Sequence, residues 1–269
     1  MSPRGEVLSW SAVEAWVELT LHRPPCNEIG MESLEALEGF VDWLSTHATS
    51  VRALIVHSTI PAGFSAGADL RELYERMRQV PLDERAAGIR AFLERMHRVL
   101  AAVEAAPIPA IAAVHGVAFG GGFEVALACD VIVADQSARF AFPELRLGLI
   151  PGFGGIPRLR RNVGSLLVQD LLLTGRSLNA SRAREAGLVS QVAANGQALQ
   201  LARDVARQIA KLDPAVVAAA KHFVKPQAPA GDEQRLAEIN LFCELCSQPT
   251  VEAALEKFVL STSAQPYLP

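Results

Sequence analysis

Apolar and polar residues alternate over residues 14–21, with Ala15, Val17, Leu19 and Leu21 on one face, and this period of two predicts a strand. Arg23-Pro24-Pro25 ends it. Over residues 31–44 the spacing becomes helical, with Leu34, Leu37, Phe40, Val41 and Leu44 on one side. Residues 51–57 carry Ala53, Leu54, Ile55 and Val56 in series, the pattern of a strand buried on both faces. A long helix is predicted over residues 85–105, where Ile89, Phe92, Met96, Val99, Leu100 and Val103 share one side; Pro107 and Pro109 close it. Two further buried strands are predicted at residues 110–114 and 131–134. Alternation of this kind predicts an α/β protein with a parallel or mixed sheet.

After about Gly152 the pattern is helical throughout. Residues 166–173, 180–186, 199–210, 215–224, 234–246 and 251–260 predict helices, punctuated by Pro214, Pro226 and Pro249. The chain therefore divides into a core domain, 1–195, and a helical C-terminal region, 196–269. Apolar residues to spare in that region predict packing against another subunit.

Composition narrows the function classes. With 269 residues, half of them hydrophobic, the chain can bury a substantial core. A net charge of −4 gives no general attraction to nucleic acid. Arg158-Leu159-Arg160-Arg161, the densest basic cluster, reads as a solvated helix face. No apolar run approaches the roughly 20 residues that span a bilayer. Residues 1–10 lack the charged-then-apolar order of a signal peptide, so a soluble, cytoplasmic protein is expected. Four cysteines make no disulfide framework. Cys243 and Cys246 form a CxxC within a helical pattern, without a second pair or nearby histidines, and read as reduced thiols rather than a metal site.

Two glycine-bearing turns carry the candidate chemistry. Gly63-Phe64-Ser65-Ala66-Gly67-Ala68-Asp69 follows a strand and leads to a helix with Asp69 as N-cap. His115-Gly116-Val117-Ala118-Phe119-Gly120-Gly121-Gly122-Phe123-Glu124 does the same. Helix N-termini present amides without intrahelical partners and favour negative charge. Two such turns side by side would aim two N–H groups at one point, as an oxyanion hole does. Each turn alone is also consistent with a plain tight turn, and Gly120-Gly121-Gly122 lacks the dinucleotide-binding spacing. The first turn also fits G-x-S-x-G, the nucleophile elbow of serine hydrolases, with Ser65 as nucleophile. The histidine available to it late in the chain, His222, lies in a helical pattern rather than a loop, and little sheet is predicted before Ser65 to support an elbow.

These turns and the segment that follows resemble the crotonase, or enoyl-CoA hydratase/isomerase, superfamily. The matching text is Arg23-Pro24-Pro25-Cys26-Asn27; Phe64-Ser65-Ala66-Gly67-Ala68-Asp69-Leu70; Ile111-Ala112-Ala113-Val114-His115-Gly116, then Gly120-Gly121-Gly122-Phe123-Glu124; Ala128-Cys129-Asp130; Phe140-Ala141-Phe142-Pro143-Glu144; Leu147-Gly148-Leu149-Ile150-Pro151-Gly152 with Gly154-Gly155; Leu173-Thr174-Gly175; and Ala186-Gly187-Leu188-Val189. The resemblance spans about residues 13–192. It implies a spiral of β-β-α units and a helical trimerisation region, with trimers commonly paired into hexamers. It also implies an acyl-CoA bound bent, its thioester oxygen between the amides of Ala68 and Gly121. The Ala66 carbonyl would contact the adenine, Arg71 would lie near the CoA phosphates, and Asp69 and Leu70 belong to the same binding stretch. No cofactor is implied, since acyl-CoA is the substrate.

The family's hydratases use two carboxylates, matched here by Glu124 and Glu144. Hydration of a 2-enoyl thioester places hydroxyl on Cβ and a proton on Cα, so one acid must take a proton from water and another must deliver one. Glu144 is assigned the principal acid/base role at Cα, with Glu124 holding and activating the water. On the bare residues, either acid could simply favour a helix start. An isomerase or other acyl-CoA enzyme, and a non-catalytic acyl-CoA binder, remain alternatives; retention of both acids favours the hydratase. Two departures stand out. Ile156-Pro157 replaces the family's frequent Thr-Gln, with Pro157 suited to a first helical position. The aromatic and arginine of the C-terminal motif are absent from their usual places in Ala253-Ala254-Leu255-Glu256-Lys257-Phe258.

Overall fold

The strand predicted at residues 14–21 is the second arm of a hairpin. In the computed structural model, which describes residues 6–224 and 232–261, β1 (Leu8–Val13) pairs antiparallel with β2 (Trp16–Leu21) across a two-residue turn in which Glu14 has φ 53°. The alternation of Leu8, Trp10 and Ala12 carried that first strand. Then follow α1 (Met31–His47), β3 (Leu54–Ser58), β4 (Gly63–Ser65), α2 (Leu70–Gln79) and α3 (Leu82–Ala105). Next come β5 (Ala110–Val114), β6 (Val117–Phe119), α4 (Gly121–Ala128), β7 (Val131–Asp135), β8 (Arg139–Ala141) and a 3-10 turn at Glu144–Leu147. The remainder is α5 (Gly155–Asn162), α6 (Ser165–Thr174), β9 (Leu178–Asn179), α7 (Ala180–Glu185), β10 (Gln191–Ala193), α8 (Ala198–Ala210), α9 (Pro214–Val224), α10 (Asp232–Cys246) and α11 (Pro249–Leu260). Pro226 lies outside the described residues.

Two sheets share the strands in a regular way. The larger runs β1-β2-β3-β5-β7-β10 and the smaller β4-β6-β8-β9. In three successive units the first strand joins the large sheet and the second joins the small one, before the chain leaves into helix: β3-β4, β5-β6 and β7-β8. This is the expected spiral of β-β-α units. β3, β5 and β7 pair in parallel and are buried on both faces, which explains their unbroken apolar runs. Three strands, β1 to β3, thus precede Ser65, more sheet than the sequence pattern predicts.

The C-terminal helices differ in their roles. α8 lays Ala198, Ala202 and Ala206 on Ile55, Ile111 and Val133, covering one face of the large sheet. α10 packs on α3, and α11 packs on α2 and on the 3-10 turn that carries Glu144. Cys243 and Cys246 are buried on α10, and burial pushes the Cys246 thiol up to about 12. Arg160 and Arg161 are exposed, as a solvated basic face requires, but Arg158 departs from that expectation. It is 2% exposed, its Nε and Nη2 donate to Glu104 Oε2 at 3.0 and 2.7 Å, and its Nη1 donates to the Phe153 carbonyl. A buried guanidinium requires such full pairing. Pro157 is the third residue of α5 rather than the first, still within the turn that needs no amide donor.

Candidate active site

β4 and β6 are neighbours in the small sheet, so the turns that leave them lie side by side. The approach is backbone to backbone. Gly67 has φ 95°, and a Cβ there would stand 2.7 Å from the Phe119 carbonyl oxygen and 2.9 Å from the Gly121 amide nitrogen. Gly121 opens α4, so its N–H has no partner within the helix. Ala68 is bridged to Ile29: the Ile29 amide donates to the Gly67 carbonyl, and the Asp69 amide donates to the Ile29 carbonyl. In that pattern the Ala68 N–H points away from Ile29.

Ala66, Ala68, Leu70, Gly121, Glu124 and Glu144 all line one cavity of about 50 Å³. The structure therefore brings together both amides and both acids of the sequence reading. Glu124, in α4, is 1% exposed, and its Oε1 accepts from the amides of Phe153 at 2.8 Å and Gly155 at 2.7 Å. Glu144 opens the 3-10 turn after Pro143. A Cβ on Gly120 would lie 2.5 Å from Glu144 Oε1, so a side chain there would displace this carboxylate. Glu144 Oε2 is buried and has no hydrogen-bond partner within the protein. An unsatisfied buried oxygen facing a cavity is suited to a ligand's proton.

Both acids hold protons more tightly than ordinary carboxyls. Burial pushes Glu144 up to about 8. Glu124 is raised well above the usual carboxylate range, first by burial and then by the charges of Glu238 and Glu144, against the pull of its two amide donors. Two acids in one desolvated space titrate as a pair.

The remaining positions of the sequence reading are placed as follows. Asp69 caps α2 by accepting from the Glu72 amide at 3.0 Å, and its other oxygen pairs with Arg23 at 2.7 Å, locking the first loop to the site. Arg71 is exposed; it donates to the Val259 carbonyl at 2.9 Å and stands over the Phe258 ring, so α11 holds it in place. Ser65 is buried, and its hydroxyl donates to the Asn27 carbonyl at 2.7 Å rather than to a histidine; His222 is exposed on α9. That geometry removes the hydrolase elbow.

Sequence reasoning missed Phe153, Glu238 and His97. Phe153 lies in the Gly152–Gly155 run, whose glycines were the available signal of close backbone approach. Glu238 accepts from the Gly154 amide at 2.7 Å, and His97 lies 3.5 Å from the same oxygen. Nothing in the spacing of α10 or α3 marks either residue. A second cavity, about 350 Å³, extends outward and shares Ala68, Leu73, Phe153 and Phe242 with the small one.

The sequence model of the enoyl-CoA hydratase/isomerase family matches residues 12–265. The chain belongs to the enoyl-CoA hydratase/isomerase family. Over 243 residues it is 36% identical to the 2,3-dehydroadipyl-CoA hydratase of Escherichia coli K12, covering 90% of this chain and 91% of that one. It is likewise 36% identical over 234 residues to a probable mitochondrial enoyl-CoA hydratase of Arabidopsis thaliana, covering 86% of this chain and 73% of that protein. An enoyl-CoA hydratase from Bacillus anthracis superposes with a TM-score of 0.75 at 30% identity, covering 88% of this chain and 90% of that one. One from Bacillus halodurans reaches 0.82 at 25% identity, covering 93% and 98%. Among the described residues no helix is long and apolar enough to cross a membrane. The crotonase fold thus sets Ala68, Gly121, Glu124 and Glu144 of this family member around one small cavity.

Proposed function

We propose that the chain hydrates a neutral 2-enoyl-CoA to the 3-hydroxyacyl-CoA, with Glu124 and Glu144 as its acid–base pair. The observation that carries this reading is the small cavity itself, where Ala68, Gly121, Glu124 and Glu144 share one wall of contact. The thioester oxygen binds between the amides of Ala68 and Gly121. Water attacks Cβ while Glu124 takes its proton. The electron pair of the double bond moves onto the thioester oxygen as an enolate, and each amide donor is worth on the order of 3 kcal/mol there. Glu144, which holds its proton at neutral pH, delivers it to Cα. Water has then been added across the bond, and a proton passes from Glu124 back to Glu144 to reset the pair. No cofactor is needed.

The acyl tail occupies the larger cavity, whose inner wall is Met77, Ile89, Phe92 and Leu93. Among the described residues two cations line this cavity, and both are committed: Arg76 to Glu72 at 3.1 Å and Arg85 to Glu252 at 2.8 Å. Among the described residues no lone cation lines this cavity to balance a carboxylate at the tail's far end, so the reading favours alkyl or aromatic tails. The CoA moiety lies along Ala66, Leu70 and Arg71. Self-association as a trimer, or a pair of trimers, accords with the exposed Leu166 and Leu173 of α6 and Val216 and Phe223 of α9.

The test is hydration of crotonyl-CoA, followed by loss of the enoyl absorbance. Glu124→Gln and Glu144→Gln are each expected to lower kcat by about 10²–10⁴-fold with a small change in KM. A full rate in the doubly substituted protein would overturn the assignment.

A further inference from the structure

Glu238 is a buried carboxylate that the hydration chemistry described above does not use. It projects from α10 toward the glycine run, four residues before Phe242. Its Oε1 accepts from the Gly154 amide at 2.7 Å, and Nε2 of His97, a buried residue of α3, stands 3.5 Å from the same oxygen. The neighbouring amides point the other way: Phe153 and Gly155 donate to Glu124 Oε1 at 2.8 and 2.7 Å. Three consecutive amides therefore alternate between two carboxylates, and the loop that carries them is the spacer between Glu124 and Glu238. Arg158 of α5 pins the same loop by donating to the Phe153 carbonyl.

We propose that Glu238 is a positioning residue for the hydration reaction, fixing through Gly154 the loop on which Glu124 rests and keeping a second carboxylate behind it. The inference rests on the hydratase reading of Glu124. Its physical content is twofold. Moving the Gly154 amide moves both amide donors of Glu124, and a displacement of about 1 Å at a reacting group can cost on the order of 10²-fold in rate. A like charge behind the loop also makes Glu124 hold its proton more tightly, and Glu238 ranks directly after burial among the causes of that shift. Among the described residues, the other titratable and charged groups around Glu124 are Glu144 from the 3-10 turn, His97 from α3 behind Glu238, and Arg158 of α5, whose guanidinium is committed to Glu104 and the Phe153 carbonyl.

The experiment compares Glu238→Gln and Glu238→Ala in the full chain, with crotonyl-CoA as substrate and kcat measured against pH. Gln keeps an acceptor for Gly154 and removes the charge. It is expected to hold the plateau kcat within a few-fold and to move the acidic limb of the profile to lower pH, because Glu124 then ionises more readily. Ala removes acceptor and charge together and is expected to lower kcat by about 10²-fold with little change in KM. A Gln profile that superimposes on the parent's overturns the proposal, whatever the Ala variant does. So does a Gln variant that loses rate with its acidic limb unmoved, the result of a merely structural role. A parent protein that does not hydrate crotonyl-CoA, or a Glu124→Gln variant at full rate, sinks the hydratase reading instead, so the two failures are separable.

Discussion

Gly120 and Glu144 meet through the space that a side chain at residue 120 would fill: a Cβ there would stand 2.5 Å from Glu144 Oε1. Gly120 also has φ 49° with ψ −126°, a conformation that residues with a Cβ rarely adopt. Gly120→Ala is therefore expected to destabilise the fold by about 1–3 kcal/mol and to push the Glu144 carboxylate off its position. With the acid displaced by about an ångström, kcat should fall on the order of 10²-fold. Stopped-flow hydration beside a denaturant titration measures both effects. A variant with parental kcat would show that the Glu144 position is not held by this contact.

The turn around Gly67 gives a companion prediction aimed at the amides instead of the acids. At φ 95°, with the Phe119 carbonyl and the Gly121 amide within 3 Å of where a Cβ would be, Gly67→Ala must part the two turns. The expected signature is loss of enolate stabilisation: kcat down by about 10²-fold or more, while the pH profile set by Glu124 and Glu144 keeps its shape. A changed profile with an intact rate would contradict this division of labour.

Glu144 makes a prediction about stability. Its carboxyl ionises near 8 in the folded protein against 4.5 ordinarily. Over that interval the native state holds a proton that the unfolded chain has released, so stability falls as pH rises from about 4.5 to 8 and is flat above. Glu144→Gln removes this penalty. The variant should be more stable than the parent by on the order of 2–4 kcal/mol at pH 8, with the gain shrinking toward pH 5. Urea denaturation at the two pH values measures the difference. Equal gains at both would mean that the carboxyl is not ionising late.

The sequence was most informative where local chemistry repeats. The doubly buried strands β3, β5 and β7, the helix cap at Asp69 and the two glycine turns were all legible, because period, capping and turn residues act over a few positions. Glu124 and Glu144 could be singled out through motif position, since a lone acid at a helix start has a bland explanation. Arg158 was misread because local charge density does not reveal a partner, and Glu104 is 54 residues away. Glu238 and His97 were invisible for the same reason. Their roles exist only once α10 folds back on α3 and reaches the 153–155 loop.

The ion pair between Arg85 and Glu252 turns the neutral-tail reading into a specificity test. Arg85 Nη1 is 2.8 Å from Glu252 Oε2, and Arg85 also donates to the Val80 carbonyl at 3.2 Å, so the cation faces the cavity already satisfied. An enoyl-CoA ending in a carboxylate would have to compete with Glu252 for it. The parent should therefore hydrate alkyl enoyl-CoAs in strong preference to ω-carboxyl ones. Glu252→Gln leaves Arg85 without its counter-charge and should raise kcat/KM for an ω-carboxyl enoyl-CoA about tenfold, the equivalent of roughly 1.4 kcal/mol. Crotonyl-CoA, too short to reach the pair, serves as the control and should be unaffected. If the parent already prefers the ω-carboxyl substrate, the neutral-tail reading is wrong while the assignment of the acids stands.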